Sequence, residues 1–382
     1  MAFESAPPLD NIRGVFSGTQ SNGRVRAGVS YRLRASLLII PLLAGLMAGS
    51  AAISSASVTT AHTSPTAKGL AFYQGKTITL ITGGAPGAFI YTWAQILAPV
   101  MGTYLHAKIN IEDVSSGGSV GSENDIAAAV PNGLTFGWMN LGAAVDLYAS
   151  GLPGLNFNVA ALPYAGGVNM GATVFIANPN SPYKSFTDVL RATGVPTLDL
   201  VSGNTDLALR ATYGAYGAKE DIVTGYSSVP LLLAGFLRGD GPVTLMSLST
   251  ADPSIVAHQA IPLFKTIDVP ETDPAASELK GVPTLAKYIS ENPPKTKSGK
   301  IVMAEVNQVL RLPDAFAFPK GTSQSYVDAM GAAMTWALSR RVVKKQALAD
   351  SLINGSVSGP QAHLDLLNAL RGDSVVKPYL LP

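Results

Sequence analysis

Thr77-Ile78-Thr79-Leu80-Ile81, followed by Gly83-Gly84-Ala85-Pro86-Gly87-Ala88, is the stretch that decides the fold. A β-branched apolar run reads as a strand, the glycine-rich segment as a tight turn, and the residues from Phe89 onward as a helical pattern. The same order recurs shortly after: Lys108-Ile109-Asn110-Ile111-Glu112, then Ser115-Ser116-Gly117-Gly118-Ser119, then a second helical pattern. A strand-to-helix turn leaves the first N–H groups of the helix unpaired, where an anion can accept them. Glycine lets the backbone approach a ligand closely. Two such turns on neighbouring strands aim their donors at one crevice. The first expectation is therefore a small carboxylate or phosphate ligand.

Outward from this stretch, strand and helix patterns alternate from Gly75 on, which is the signature of an α/β sheet. Strands are expected near 77–82, 108–112, 134–139, 173–177, 197–202, 221–224, 243–247 and 260–267. Helices are expected near 89–102, 119–129, 184–193, 205–217, 229–238, 283–290, 323–339 and 341–352. Asn132-Gly133 and Asn178-Pro179 mark turns. Lys295 to Lys300, after Pro293-Pro294, reads as a mobile polar loop. The chain is expected to cross between halves at about 172–178 and to return through a strand near 310–318. That arrangement produces two α/β lobes with a cleft between them, a common place for a small-molecule site.

The 382 residues are 47% hydrophobic and 14% charged, with a formal net charge of +2. Such a balance supplies no phosphate-neutralising stripe, so nucleic acid is not an expected partner. There is no cysteine, which removes disulfides, thiolate metal sites and cysteine nucleophiles. Arg24, Arg26, Arg32 and Arg34 precede the uncharged run from Ala35 to Met47, and small residues follow it. A basic segment, a short apolar core and a small-residue exit describe a secretory signal peptide over residues 1–56. A membrane anchor is the alternative, although the strongly apolar part falls short of the ~20 residues that spanning needs. Residues 57–70, rich in Ser, Thr and Ala, read as a disordered lead-in.

Catalytic signatures are missing. Gly83-Gly84-Ala85-Pro86-Gly87 does not fit G-x-G-x-x-G, and no G-x-x-x-x-G-K-[ST] occurs, so no nucleotide and no other cofactor is expected. His62, His106, His258 and His363 show no metal-ligand or triad spacing, and no metal is expected. Arg340-Arg341-Val342-Val343-Lys344-Lys345 reads as a solvated helical face. An exported α/β enzyme would need a nucleophile–base pair or a cofactor fingerprint, and neither can be read.

Several segments, in order, resemble the Bug-type periplasmic substrate-binding proteins of tripartite tricarboxylate transporters. Gly75-Lys76-Thr77-Ile78-Thr79-Leu80-Ile81 resembles the opening strand of that family. Ala85-Pro86-Gly87 with Ala94-Gln95-Ile96-Leu97-Ala98-Pro99 resembles its first ligand loop and helix. Ser116-Gly117-Gly118-Ser119, the segment from Ala127 through Pro131-Asn132-Gly133-Leu134-Thr135, and Gly281-Val282-Pro283-Thr284-Leu285-Ala286 resemble further signatures. Phe318-Pro319-Lys320-Gly321-Thr322, followed by two helices, resembles the C-terminal part. The likeness covers about residues 72–370. One departure concerns the first loop, where Tyr91 stands at the place of a family aspartate. That exchange argues against ligands with an amino group and leaves room for di-, tri- or aromatic carboxylic acids.

The resemblance implies a two-lobed periplasmic-binding-protein-like fold of type II. Lobe 1 would comprise residues 71–171 plus 306–382 and lobe 2 residues 172–305, joined by crossing strands. It implies a monomeric, periplasmic receptor that hands a small carboxylate to a two-component membrane permease. An orphan or sensory receptor would share the same fold. Carried onto this sequence, the ligand loops supply Ala85, Gly87, Ala88, Phe89, Tyr91, Asn140, Leu141, Ser202, Asn204, Thr205 and Ser247. Each has a plainer reading beside it: Asn204 or Thr205 as a helix cap, Gly87 as a turn residue, and Tyr91 as a hydroxyl on either side of the wall. Trp93, four residues before Leu97, reads as core.

Overall fold

In the computed structural model the opening strand is β1 (Thr77–Thr82) and the helix after its glycine turn is α2 (Phe89–Leu105). The structure describes residues 64–114, 119–150, 154–169, 171–200, 204–350, 352 and 355–379. The expected leader, the second glycine turn at 115–118 and Ser202 lie outside the described residues. All elements below belong to the unit Ala61–Pro382.

The first sheet contains β1, β2 (Lys108–Asp113), β3 (Thr135–Asn140), β4 (Tyr164–Val168), β10 (Asp314–Ala317) and β11 (Ser356–Ser358), in the order β11-β4-β10-β3-β1-β2. The second contains β5 (Thr173–Ala177), β6 (Val195–Leu200), β7 (Glu220–Tyr226), β8 (Val243–Ser247) and β9 (Ile261–Lys265), in the order β7-β6-β8-β5-β9. Both follow one plan. β1 runs parallel to β2 and β3, and β6 runs parallel to β7 and β8. Parallel neighbours need a long crossover, here a helix each time: α2 and α3 (Val120–Ala128) in the first sheet, α6 (Asn204–Tyr216) and α7 (Val229–Arg238) in the second. Beside each parallel set lies one antiparallel strand that has just crossed from the other half. β5 pairs with β8 and β9, and β10 pairs with β3 and β4. The fold is thus two-lobed α/β.

Burial explains the strand chemistry. β5 is buried at every position, as expected of a strand covered on both faces, whereas β2 at the edge is nowhere fully buried. α2 buries Phe89, Ile90, Trp93, Ala94, Leu97, Ala98, Met101, Gly102 and Leu105, a stripe at three- and four-residue spacing. It runs through Pro99 and stops at His106, whose left-handed backbone lets its N–H reach the carbonyls of Gly102 and Thr103. Trp93 is fully buried in the core between α2 and α11 (Gln324–Ser339). A second cluster packs α7 and α8 (Leu248–Val256) on the second sheet. A third is continuous between the sheets, through α4 (Leu141–Ser150), α6, α10 (Lys297–Val309) and α13 (Gly359–Val376).

Some expectations are corrected. The lead-in taken as disordered to residue 70 is helical from Pro65: α1 (Pro65–Tyr73) starts under the Ser64 cap, whose Oγ accepts the Ala67 N–H at 3.2 Å. Phe72 stacks on Tyr326 at 3.9 Å between ring centroids, which anchors it to α11. The expected loop at Lys295–Lys300 enters α10 at Lys297, because Thr296 Oγ1 accepts the Gly299 N–H at 2.9 Å. Gly299, Val302, Met303, Val306 and Val309 then form a buried stripe that the charged start conceals. The crossing falls between β4 and β5, before residue 173, so 173–177 lie within the second sheet. α4, α8, α13, β4 and β11 were not anticipated.

Candidate functional site

The topology assembles the site before any side chain is considered. In an open α/β sheet the helix that follows each parallel strand starts at the strand's carboxyl end, where ligands bind. Helices α2, α3 and α4 follow β1, β2 and β3, and helices α6, α7 and α8 follow β6, β7 and β8. The two sets of helix N-termini meet at a cavity of about 130 Å³ between the sheets. Since a single water needs roughly 10–15 Å³, the space holds a small organic molecule.

From the first sheet the wall is formed by Gly83, Gly84, Ala85, Ala88, Phe89, Ile90, Ser119, Asn140, Ala143 and Asp314. From the second it is formed by Thr173, Leu200, Thr205, Ser227, Ser228, Val229, Leu232, Leu245, Met246 and Ser247. Among the described residues, no lysine, arginine or histidine lines it. The Ala85 carbonyl accepts the Ala88 N–H at 2.9 Å. With Pro86 and Gly87 (φ +87°) between them, this is the pattern of a type II turn. Gly83 and Gly84 serve close approach. A Cβ on Gly84 would stand 2.5 Å from Ile90 Cγ1, and one on Gly83 would run into Ser119 and Ser122.

Most of these helix starts lack a side-chain cap, although at α8 the Leu248 N–H already donates to the Ala172 carbonyl at 2.7 Å. Ala88, Ser119, Ser228 and Ser247 stand at the N-caps of α2, α3, α7 and α8, and none forms a side-chain cap hydrogen bond. Asn140 Oδ1 accepts the Ala143 N–H at 2.9 Å, which starts α4 and leaves Nδ2 as the donor end of that amide. First-turn N–H groups and the helix dipoles make each such end attractive to an anion. With several in a buried setting, the wall suits a carboxylate without an arginine clamp.

Of the residues expected from sequence, Ala85, Ala88, Phe89, Asn140, Thr205 and Ser247 come together on this wall. Gly87 is one residue away in the turn and is not on the wall; neither is the half-buried Tyr91, nor Leu141, which is fully buried in the core. Asn204 begins α6, and Ser202 lies outside the described residues. Sequence reading missed the Ser227-Ser228-Val229 rim, although Ser228-Val229-Pro230 is a legible helix start. It also missed Thr173 and Asp314, the antiparallel arrivals, whose place depends on long-range pairing.

Three buried acids surround the cavity. Asp314 lines it, is 1% exposed, and neither carboxyl oxygen accepts a hydrogen bond. Burial pushes it up to about 7, only partly offset by the nearby Trp138 indole N–H, which makes no hydrogen bond of normal geometry. Glu123 is pushed up to about 8 by burial, against the Ser119 hydroxyl and the Asn140 backbone N–H, with Asp314 adding to the rise. Asp199 rises to about 8 by burial, against hydrogen bonds from Thr205 and from the Leu200 backbone. Among the described residues no group of His, Cys, Asp and Glu is arranged to hold a metal, and none of His106, His258 or His363 is on the wall.

No protein-family model matches the chain, and no curated protein matches it by sequence. Solved structures do match. MatC from Rhodopseudomonas palustris with bound malate superposes with a TM-score of 0.61 at 17% identity, over 80% of this chain and 99% of that one. The periplasmic binding protein BugD gives 0.60 at 15%, over 81% and 96%. The R. palustris protein Rpa4515 with adipate gives 0.60 at 14%, over 80% and 97%. These matches show a shared two-lobed α/β fold. Within that class, the fold is the one shared by the Bug- and TctC-type periplasmic binding proteins.

Proposed function

We propose that this chain is an extracytoplasmic solute receptor that binds a small carboxylic acid in the cavity between its lobes. The observation that carries this reading is the convergence of helix N-termini from both sheets on one cavity whose described lining holds no lysine or arginine. Fixed dipoles, serine and threonine hydroxyls, the Asn140 amide and ordered water take up the carboxylate oxygens. Malate in MatC and adipate in Rpa4515 support the carboxylate class, because those proteins share the fold. The receptor works in the periplasm as a monomer, after export through the basic-apolar leader. It delivers its ligand to a tripartite tricarboxylate-type permease of two membrane components. Residues 71–171 with 306–382 form one lobe and 172–305 the other. Ala85, Ala88, Phe89, Asn140, Thr205 and Ser247 provide the ligand contacts.

The test is a melting-temperature titration of purified protein with malate, succinate, adipate, citrate and benzoate. A ligand at a hundredfold excess over its dissociation constant adds about 2.7 kcal/mol to stability, a rise of several degrees. If no acid in the panel moves the transition, the receptor reading fails.

A further inference from the structure

Asp314 breaks the chemistry of its own strand. β10 and the residue after it read Asp314-Ala315-Phe316-Ala317-Phe318, all of them buried, and Asp314 is the one charged side chain among them. It is 1% exposed, lines the cavity, and neither carboxyl oxygen accepts a hydrogen bond. Its strand neighbours leave it so: the antiparallel register sets Val168, apolar and fully buried, on one side and Asn140 on the other. The Trp138 indole N–H and the Glu123 carboxyl also lie nearby, without a hydrogen bond of normal geometry to it. A buried carboxyl with both oxygens unpartnered weakens a fold. Such a breach of the local rules belongs at a functional site, where a ligand supplies the missing partner.

Asn140 supplies the complement. Residues directly opposite in an antiparallel ladder point to the same face, with Cβ atoms about 4.5–5.5 Å apart, and both of these side chains line the cavity. Asn140 Oδ1 accepts the Ala143 N–H at 2.9 Å, so the amide turns its donor end, Nδ2, away from the start of α4. The wall thus presents an amide donor beside a carboxyl acceptor, with no hydrogen bond between them. A hydroxyl fits this pair, because it donates to the carboxyl and accepts from the amide. It does so whether or not the carboxyl carries a proton, since either form keeps an acceptor oxygen. An ammonium only donates and would meet Nδ2 donor to donor. A carboxylate only accepts, and the helix starts of both lobes offer it more donors.

We propose that Asp314, beside Asn140, is a specificity-determining residue that accepts a hydrogen bond from a hydroxyl of the ligand, so that the cavity selects hydroxycarboxylic acids over the same acids without the hydroxyl. The inference rests on the carboxylate-receptor reading and narrows its ligand class. It also orients the ligand: carboxylate toward the helix starts, hydroxyl toward the paired ends of β3 and β10. The unpartnered carboxyl is costly in the empty protein and gains its partner when such a ligand enters. The residue that weakens the fold is therefore the one that reads the ligand.

The experiment is calorimetric titration of the full chain, at a single pH, with acids matched in all but one substituent. The sets are succinate, malate (both enantiomers) and aspartate; phenylacetate, mandelate and phenylglycine; and tricarballylate with citrate. Adipate is titrated beside them. The proteins are the wild type, Asp314→Val and Asp314→Asn, with circular dichroism to verify folding. The readout is the affinity ratio within a set, because loss of a carboxyl alters the affinity of every anion. In the wild type the hydroxy acid is expected to bind about tenfold or more tighter than its unsubstituted match, and tighter than the amino acid. Asp314→Val brings hydroxy and unsubstituted acids within about threefold of each other, as befits a lost hydrogen bond. Asp314→Asn keeps an acceptor oxygen in the same place and retains most of the preference. An unsubstituted acid that binds the wild type as tightly as its hydroxylated match overturns the proposal and leaves the receptor reading standing. So does an amino acid that binds tighter than the hydroxy acid, or binding of adipate alone. A preference that survives Asp314→Val, or is lost equally in Asp314→Asn, overturns it as well. If none of these acids binds, the receptor reading falls and this inference with it. Should a variant fail to fold, the wild-type ratios decide alone.

Discussion

Asp314→Asn is expected to stabilise the ligand-free protein at pH 8 and to leave it nearly unchanged at pH 4. Asp314 is a buried acid whose folded pKa, about 7, lies well above its ordinary value of 3.8. Between those values the folded state holds a proton that the unfolded state has released. Stability is therefore fully present below about pH 4, declines as pH rises toward 7, and is flat beyond, where both states are ionised. About three units of pKa at about 1.4 kcal/mol each put the full decline on the order of 4 kcal/mol. Asparagine cannot ionise, and because neither carboxyl oxygen accepts a hydrogen bond, the exchange sacrifices no acceptor contact. Urea unfolding of wild type and variant at pH 4, 6 and 8 measures this directly. The difference between the two proteins isolates this one group from every other carboxyl that titrates. A variant less stable than wild type at pH 8 would refute the reasoning, because it would mean that the native state prefers Asp314 ionised.

Other substitutions separate the causes of the local structure. Gly87→Ala meets no clash, since the nearest atom to its methyl is Pro230 Cγ at 3.7 Å. Its cost is the left-handed φ of +87° alone, about 1–2 kcal/mol in urea unfolding, and no loss of stability would disprove a strained turn. Gly137→Ala places its methyl inside the Ile126 side chain against β3. It is expected to cost about 1–3 kcal/mol by overpacking, and the double variant with Ile126→Ala to be more stable than the sum of the two single losses. Strict additivity would remove that contact from the account. Thr296→Ala removes the α10 cap and is expected to lower stability by about 1 kcal/mol.

Much of the fold was legible in the sequence because the hydrophobic period changes cleanly at Gly83 and at Asn204, where strand hands over to helix. The first rim of the cavity was legible for the same reason, since Ala85-Pro86-Gly87-Ala88 states its own turn. The missed parts share a different cause. α10 and α13 begin with polar or turn-forming residues, so their buried stripes, such as Val302, Met303, Val306 and Val309, become visible only once a partner helix is in place. Asp314 reads as an ordinary charged residue, and only its register opposite Asn140 on β3 and Val168 on β4 carries it into the cavity. Tyr91 illustrates the opposite failure. Its position in the loop pattern suggested a ligand hydroxyl, yet that residue stands outside the wall, while Asp314 on the wall arrives from a strand about two hundred residues away.

The packing also states how the lobes can move. On one side of the cavity α4, α6, α10 and α13 share a continuous apolar core that includes Leu207, Val306 and Leu366, all buried. Separating the sheets there would expose that surface to water at about 25 cal/mol for each Å². On the other side the rims meet lightly: a methyl at Gly87 would only touch Pro230. Opening is therefore expected as a hinge about the shared core that parts the first turn from the start of α7, and a ligand held by helix N-termini of both lobes is expected to favour the closed form. The chain contains no cysteine, so spin labels attach only where cysteines are introduced. Pro86→Cys with Leu231→Cys spans the rims, and Ile301→Cys with Gln361→Cys spans the core; all four positions are exposed. Malate or adipate is expected to shorten and narrow the rim distance and leave the core distance unchanged. A ligand that bound but moved both pairs equally, or neither, would place the hinge elsewhere or deny that closure accompanies binding.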